Sequence, residues 1–338
     1  MKRITWLLAL ALLVTIGGCK EGKKGKNLLP NPLGAAGDIL VVLEKSGGDV
    51  DTLWSSIQNV LAEEYPFLPQ PEPRFNLVKL PPKFFKGVQA YRNILLLKVD
   101  KAIYPEAKML LRYDAWSSPQ VIVTLVGPSP KALSTYILKE REKIVALFEQ
   151  AERDRQIATN NRLPDLKIQL LLKQKFGISL AMPSGYKVNR KADDFIWISY
   201  ETPFTSHGIM VYTYPYKSDS TFTKKNLINK RDFYTKKYIP GPSKGSYMIT
   251  GHFYEPQVTP TMFKERYYAI LRGLWEVKND YMGGPFISFT TLDEANNRII
   301  TIEGYVYAPK DEKRNYLRQV ESILYSFKLL PNAESKNK

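Results

Sequence analysis

Two stretches of the chain concentrate side chains able to do chemistry. The first is Lys230-Arg231-Asp232-Phe233-Tyr234-Thr235-Lys236-Lys237-Tyr238-Ile239-Pro240-Gly241-Pro242. On a helix, Leu227, Tyr234 and Tyr238 share one stripe, and the spacing places Arg231 on that stripe too. A guanidinium on an inward face needs a partner, since breaking a buried ion pair costs ~3–5 kcal/mol. Asp194, Glu276 and Asp280 are the candidate partners, with Asp232 adjacent in sequence. The alternative is an arginine aimed into a cleft to bind an anionic group. The second stretch is Arg272-Gly273-Leu274-Trp275-Glu276-Val277-Lys278-Asn279-Asp280-Tyr281-Met282-Gly283-Gly284-Pro285-Phe286. If 274–278 is a strand, Trp275 and Val277 share one face and Glu276 and Lys278 the other. Trp275 is then a core residue or a sugar-stacking platform, and Arg272 a second cation for an ion pair or a ligand. Glu276 and Asp280 are the best available pair for glycoside hydrolysis, which needs carboxyls ~5–9.5 Å apart. Gly283-Gly284-Pro285 is expected to turn the chain with permissive φ.

Two rigid loops, Pro69-Gln70-Pro71-Glu72-Pro73 and Trp116-Ser117-Ser118-Pro119-Gln120, are further places where function could reside. The absences are more definite. His207 and His252 are the only histidines and Cys19 the only cysteine, so a zinc site would have to be carboxylate-heavy. His207 follows Thr205-Ser206 and is expected on an exposed loop. No nucleotide-binding glycine loop, H-E-x-x-H, G-x-S-x-G or S-x-x-K motif occurs. The expectation is no catalytic residue, no metal and no cofactor.

The N-terminus carries the clearest signal. Lys2 and Arg3 precede an apolar run from Ile4 to Ile16 that suits a secretion signal and is too short for a bilayer core, which needs ~20 residues. Ile16-Gly17-Gly18-Cys19 then resembles a bacterial lipobox. Residues 1–18 are expected to be a removed signal peptide, and Cys19 the acylated start of the mature chain. Residues 19–37 read as a flexible tether rich in Lys, Gly and Pro. Lys20, Lys23, Lys24 and Lys26 would lie beside lipid headgroups, each contributing ~1 kcal/mol on an anionic leaflet. Lys20 stands where an aspartate retains enteric lipoproteins in the inner membrane, which favours the outer membrane.

The net charge is +16 over 338 residues, with the basic side chains scattered rather than blocked outside the tether. Such charge speaks of partners and not of fold. In an envelope those partners exclude nucleic acid. The 21 Tyr, 15 Phe and 5 Trp suit half-exposed strands as well as sugar or peptide contact surfaces.

The elements that must position these residues follow from periodicity. Asp38 to Leu43 is a continuous apolar run, as in a central strand, and Leu53 to Leu61 repeats at helical spacing. Strands are expected over 75–80, 93–99, 109–113 and 121–126. Ser129-Pro130 starts a helix that continues to about Ile157. Further strands are expected over 195–200, 209–214, 286–292 and 298–308, with helices over 165–174, 221–238 and from about 311 to Phe327. The pattern predicts an α+β chain with mainly antiparallel sheets and packed helices, divided into an N-terminal domain over 38–160, a C-terminal domain over 161–330 and a polar tail over 331–338. The element order of the second half resembles the Mog1/PsbP-like sandwich, which implies a fold and no activity.

LPQPEPRF (68–75), YRNILLLKVD (91–100), WSSPQ (116–120), DFIWISYE (194–201), KRDFYTKKYIPGP (230–242), RGLWEVKNDYMGGPF (272–286) and EGYVYAP (303–309) together resemble a family of envelope lipoproteins, domain of unknown function 4837, seen mainly in Bacteroides-type bacteria. The resemblance implies lipoprotein localisation in the cell envelope and supplies no catalytic residues. The expected role is a membrane-anchored, non-enzymatic module for a glycan, peptide or envelope protein. The alternative is a carboxylate-dependent hydrolase of an envelope polymer.

Overall fold

A computed structural model of the chain describes residues 29–43 and 50–331. The signal segment, Cys19, the first part of the tether and most of the polar tail lie outside the described residues. The fold is α+β and is built on two large sheets, each with its own helices, and a two-stranded ribbon. The first sheet contains β1 (Asp38–Leu43), β2 (Asn76–Leu80), β3 (Asn93–Val99), β4 (Lys108–Tyr113) and β5 (Val121–Gly127) in the order β2-β1-β3-β5-β4. An antiparallel sheet was expected here, but β1 pairs with β2 and β3, and β3 with β5, in parallel; only β4 is antiparallel. The cause is two-sided burial. Ile39, Val41, Leu95, Leu97 and Val123 face the helices α1 (Val50–Leu61), α2 (Pro130–Lys139) and α3 (Arg141–Arg162), whereas Leu40, Val42, Ile94, Leu96 and Ile122 face the other way, under Phe85, Tyr91 and Trp116. Runs without alternation are what such doubly covered parallel strands require.

α2 begins as its residues dictate: Ser129 Oγ accepts from the Ala132 N–H at 3.2 Å, and Pro130 occupies the first turn. The expected single helix is broken at Glu140 into α2 and α3. The latter part of the tether is not free. The Leu33 N–H donates to Ala90 O, the Ser118 N–H donates to Pro30 O, and Gly34, at φ 88°, lies so close under the Tyr91 ring that a Cβ would meet it at 2.6 Å.

The second sheet is antiparallel. It contains β7 (Lys187–Ala192), β8 (Phe195–Glu201), β9 (Ser206–Pro215), β10 (Tyr247–Thr250), β11 (Gln257–Phe263), β12 (Arg266–Lys278), β13 (Gly283–Asp293) and β14 (Arg298–Tyr307). The path is β10-β12-β13-β14-β9-β8-β7, with β11 also on β12. A short ribbon pairs β6 (Ile178–Ser179) with β15 (Lys328–Leu329). Period-two alternation divides the large sheet between two cores. On β14, Ile300, Ile302 and Val306 face α4 (Leu166–Phe176) and α6 (Arg314–Tyr325), while Ile299 and Tyr305 face α5 (Lys224–Tyr238). His207 lies on β9 and not on an exposed loop; it is buried against Tyr316 at 4.7 Å, and burial holds its imidazole down at about 4.

The two domains are joined by the segment 65–76, which belongs to the first domain and enters the second. Tyr65 and Leu68 are members of the core beneath α6. Glu72, buried, accepts from the Lys313 N–H at 2.6 Å on Oε1 and from the Arg314 N–H at 2.9 Å on Oε2. It thereby satisfies two of the backbone donors that every helix N-terminus leaves without an internal partner, with a charge of the sign favoured there. Arg318 donates to Arg74 O at 2.7 Å and lies over the Phe75 ring at 4.7 Å. Glu72→Ala removes a cap worth ~1 kcal/mol and strands two buried N–H groups at ~1–3 kcal/mol. We expect a loss of about 3 kcal/mol in thermal unfolding, with Glu72→Gln retaining part of it; an unchanged unfolding curve for Glu72→Ala contradicts the capping role.

Candidate functional site

Arg231 is fully buried on α5. Its partner is Glu303 of β14 and none of the three acids expected: Nη2 lies 2.8 Å from Oε1, and Nε donates to the same carboxylate at 2.9 and 3.1 Å. Nη1 donates to Thr250 Oγ1 at 3.0 Å, and the guanidinium carbon lies 3.9 Å from the centroid of the Phe286 ring. Burial pushes the Glu303 carboxyl up to about 6, against the opposing charge and hydrogen bonds of Arg231. Asp232 completes the pair from the rim: its Oδ1 lies 3.6 Å from Arg231 Nη1 and accepts from the Thr250 N–H at 2.8 Å and from Thr250 Oγ1 at 2.7 Å. Asp194 instead accepts from Tyr234 at 3.0 Å and Tyr238 at 3.3 Å. Arg231 therefore fixes α5 to the sheet and is closed to ligands.

Arg272 does the equivalent on the opposite face. It pairs with Glu321 of α6, which also accepts from Tyr65 OH at 2.8 Å. Burial alone would raise the Glu321 carboxyl, but Arg272, Arg153 and the hydrogen bonds from Tyr65 and Arg272 carry it below its ordinary value. Glu303 and Glu321 were not singled out in sequence, and Glu72 only as part of a rigid loop, although the first two carried a usable signal. Glu303 shares a strand face with Ile299 and Tyr305, and Glu321 falls on the helical stripe of Leu317 and Leu324.

Trp275 is buried rather than offered as a platform. Its Nε1 donates to Val306 O at 3.1 Å, and the ring meets Tyr305 at 5.4 Å. This explains the glycines opposite, which do not form the turn. Gly283, Gly284 and Pro285 begin β13 and pair with Glu276, Trp275 and Leu274. A Cβ on Gly284 would stand 2.0 Å from Val306 O, so the position must lack one. The turn itself lies at Asn279, at φ 66°.

The remaining residues of this stretch meet residues of both domains around an open cleft of about 1020 Å³. One wall is the end of β12 and its turn, with Glu276, Lys278, Asp280 and Tyr281. A second is Ile249 to Phe253, and a third combines Gln70 of the first domain with Pro309 and Lys313 of the second. Tyr281 is fully exposed and Phe253 is 75% exposed. Lys313 Nζ donates to Gln70 Oε1 at 2.5 Å and Asp311 O at 2.9 Å; burial lowers its ammonium, against the pull of Glu72 and Asp311. Asp280 is occupied locally, accepting from Ser243 Oγ at 2.8 Å and the Tyr281 N–H at 2.7 Å. The Glu276 carboxylate makes no hydrogen bond or ion pair among the described residues, although its backbone pairs with Gly283 and Ile249 in the sheet. The cleft thus offers aromatic faces with separate acceptors and donors, but no carboxyl pair set into a dry pocket. Among the described residues no group of three His, Cys, Asp or Glu side chains is placed to hold a metal ion.

Of the two loops singled out in sequence, the 116–120 loop is structural, and the 69–73 loop both lines the cleft through Gln70 and holds the two domains together. Glu72 caps α6, and the 116–120 loop is tied down by Gln120 Nε2 donating to Gln89 O and Tyr91 O at 2.7 Å each, and by Ser117 Oγ donating to Ala90 O at 2.9 Å. Replacing Arg231 alone by Met should destabilise the chain by ~3–5 kcal/mol, because Glu303 is left buried without its partner, whereas Arg231→Met with Glu303→Leu should recover most of the loss. Thermal unfolding of the two variants checks this; a double variant no more stable than the single contradicts the pairing account.

Residues 165–326 match the family model described as Domain of unknown function (DUF4837), and residues 33–161 match a second, Domain of unknown function (DUF8532). No curated protein matches the chain in sequence. Solved structures similar to part of it include a single-residue mutant of protein Mog1, at 12% identity and a TM-score of 0.31, covering 47% of this chain and 93% of that one. The Ran-binding protein Mog1p of Saccharomyces cerevisiae is similar at 12% identity and a TM-score of 0.30, covering 46% and 90%.

Proposed function

We propose that this chain, built from a DUF8532 segment followed by a DUF4837 domain, is a lipid-anchored envelope protein that holds a glycan or peptide segment in the cleft between its domains and performs no chemistry on it. The single observation that carries the reading is the cleft at the end of β12, where exposed Tyr281 and Phe253 stand beside Glu276, Lys278 and Lys313. Aromatic faces supply contact area to sugar rings and to peptide side chains alike, and the flanking charges fix orientation. Its walls come from both domains, so the domain junction is part of the binding surface. The anchor rests on Ile16-Gly17-Gly18-Cys19 and the basic residues that follow it. The hydrolase alternative draws no support from Asp280, whose oxygens are already engaged.

The test uses chain extracted from native membranes, its N-terminus confirmed by mass as acylated Cys19. Soluble cell-wall glycan–peptide fragments and a random decapeptide library are titrated against it. One of the two is expected to bind, and Phe253→Ala with Tyr281→Ala to weaken binding about tenfold, each aromatic contact contributing ~0.5–1.5 kcal/mol, without moving the unfolding temperature. Absence of binding to both, or full binding by the double variant, contradicts the proposal, and product release from the fragments overturns its non-enzymatic part.

A further inference from the structure

The outer face of α5 has no role in the cleft. Its inner face is spent on Leu227, Arg231, Tyr234 and Tyr238. Outward it presents Lys224, Lys225, Lys230, Lys236 and Lys237, all exposed, and the one carboxylate of the helix, Asp232, is engaged by Thr250. Lys224 forms an ion pair with Glu255, and Lys237 lies against the Tyr238 ring at 4.8 Å. Among the described residues no carboxylate lies within ion-pair distance of Lys225, Lys230, Lys236 or Lys237. In the middle of this lysine face stands Phe233, 55% exposed and set edge-on against Tyr234 at 5.3 Å. Beyond the helix end, Pro240 and Pro242 line a pocket together with Phe204, which is 69% exposed. Four lysines without an ion-pair partner among the described residues, around an exposed aromatic ring on a helix held rigidly by a buried ion pair, complement a surface that is anionic on its outside and apolar just beneath.

We infer that the α5 face docks on an anionic lipid bilayer, with the lysines among the headgroups and Phe233 at the level of the acyl boundary. The lysines supply a sequence-independent attraction that salt weakens, and the ring adds an apolar contact. A contact of this kind orients the folded domain against the membrane, whatever holds the N-terminus there. It is independent of the cleft and of its ligand. A soluble anionic polymer would satisfy the lysines but leave Phe233 without an apolar phase.

The experiment footprints the full chain on vesicles of phosphatidylcholine alone and of phosphatidylcholine with phosphatidylglycerol, using a water-soluble amine-acylating reagent read by mass spectrometry. Lys108 and Lys173, exposed on other elements, serve as references. Lys225, Lys230, Lys236 and Lys237 are expected to react several-fold more slowly on the phosphatidylglycerol vesicles only, and the difference to vanish in high salt. In a chain carrying Lys230→Glu, Lys236→Glu and Lys237→Glu the protection of Lys225 should disappear, because three lysines at ~1 kcal/mol each amount to roughly a hundredfold in partition. Equal protection on both vesicle types, no protection on either, or protection by soluble heparin without protection by vesicles overturns the inference.

Discussion

The contact on which the molecule depends is the carboxylate of Glu72 across the first turn of α6. A helix that starts against a protein interior must have its leading N–H groups satisfied, and α6 has no side-chain cap of its own, beginning at Lys313 without one. Another part of the chain must provide the acceptor, and the four prolines of 66–73 hold the loop that does so. Because the cap comes from the first domain and the helix belongs to the second, helix formation and domain docking become one event. Tyr65 and Leu68 then complete the core under α6, and Arg314 and Arg318 reach back to Pro73, Asn76 and Arg74.

From that junction the rest follows by layers. The large sheet is covered on one face by α6 and on the other by α5, and each helix is pinned by one buried ion pair, Arg272 with Glu321 and Arg231 with Glu303. Such pairs contribute little net stability, but they admit one placement of the helix, since any shift leaves a charge alone in the interior. β12 runs beneath both helices. Its end projects Trp275 into one core and Glu276 to the opposite face, and the cleft forms where the strand emerges beside Gln70 and Lys313.

Local chemistry was legible wherever one residue decides the outcome. Ser129-Pro130 starts α2, the unbroken apolar run of Asp38 to Leu43 is an interior strand, and the stripe of Leu317, Val320 and Leu324 buries as expected. Partnership over distance was not legible. The direction in which β1 pairs with β2 is set by the helix between them, and an apolar run alone does not record it. Arg231 was readable as a buried cation, yet its mate lay 72 positions away on a strand whose alternation hides an acid among apolar neighbours. The two glycines of β13 were misread for a related reason. Their small size answers backbone oxygens of neighbouring strands, Trp275 O at Gly283 and Val306 O at Gly284, a steric demand that looks in sequence like a demand for positive φ.

The most direct test of the junction is amide hydrogen exchange at Lys313 and Arg314 in the wild-type chain. The account predicts that both amides exchange only with global unfolding, at the rate of the central strands β13 and β14, because both are hydrogen-bonded to a carboxylate from the other domain. Exchange as fast as that of an ordinary exposed helix start would show that the Glu72 contact does not hold in solution, and would leave the shared walls of the cleft without a cause.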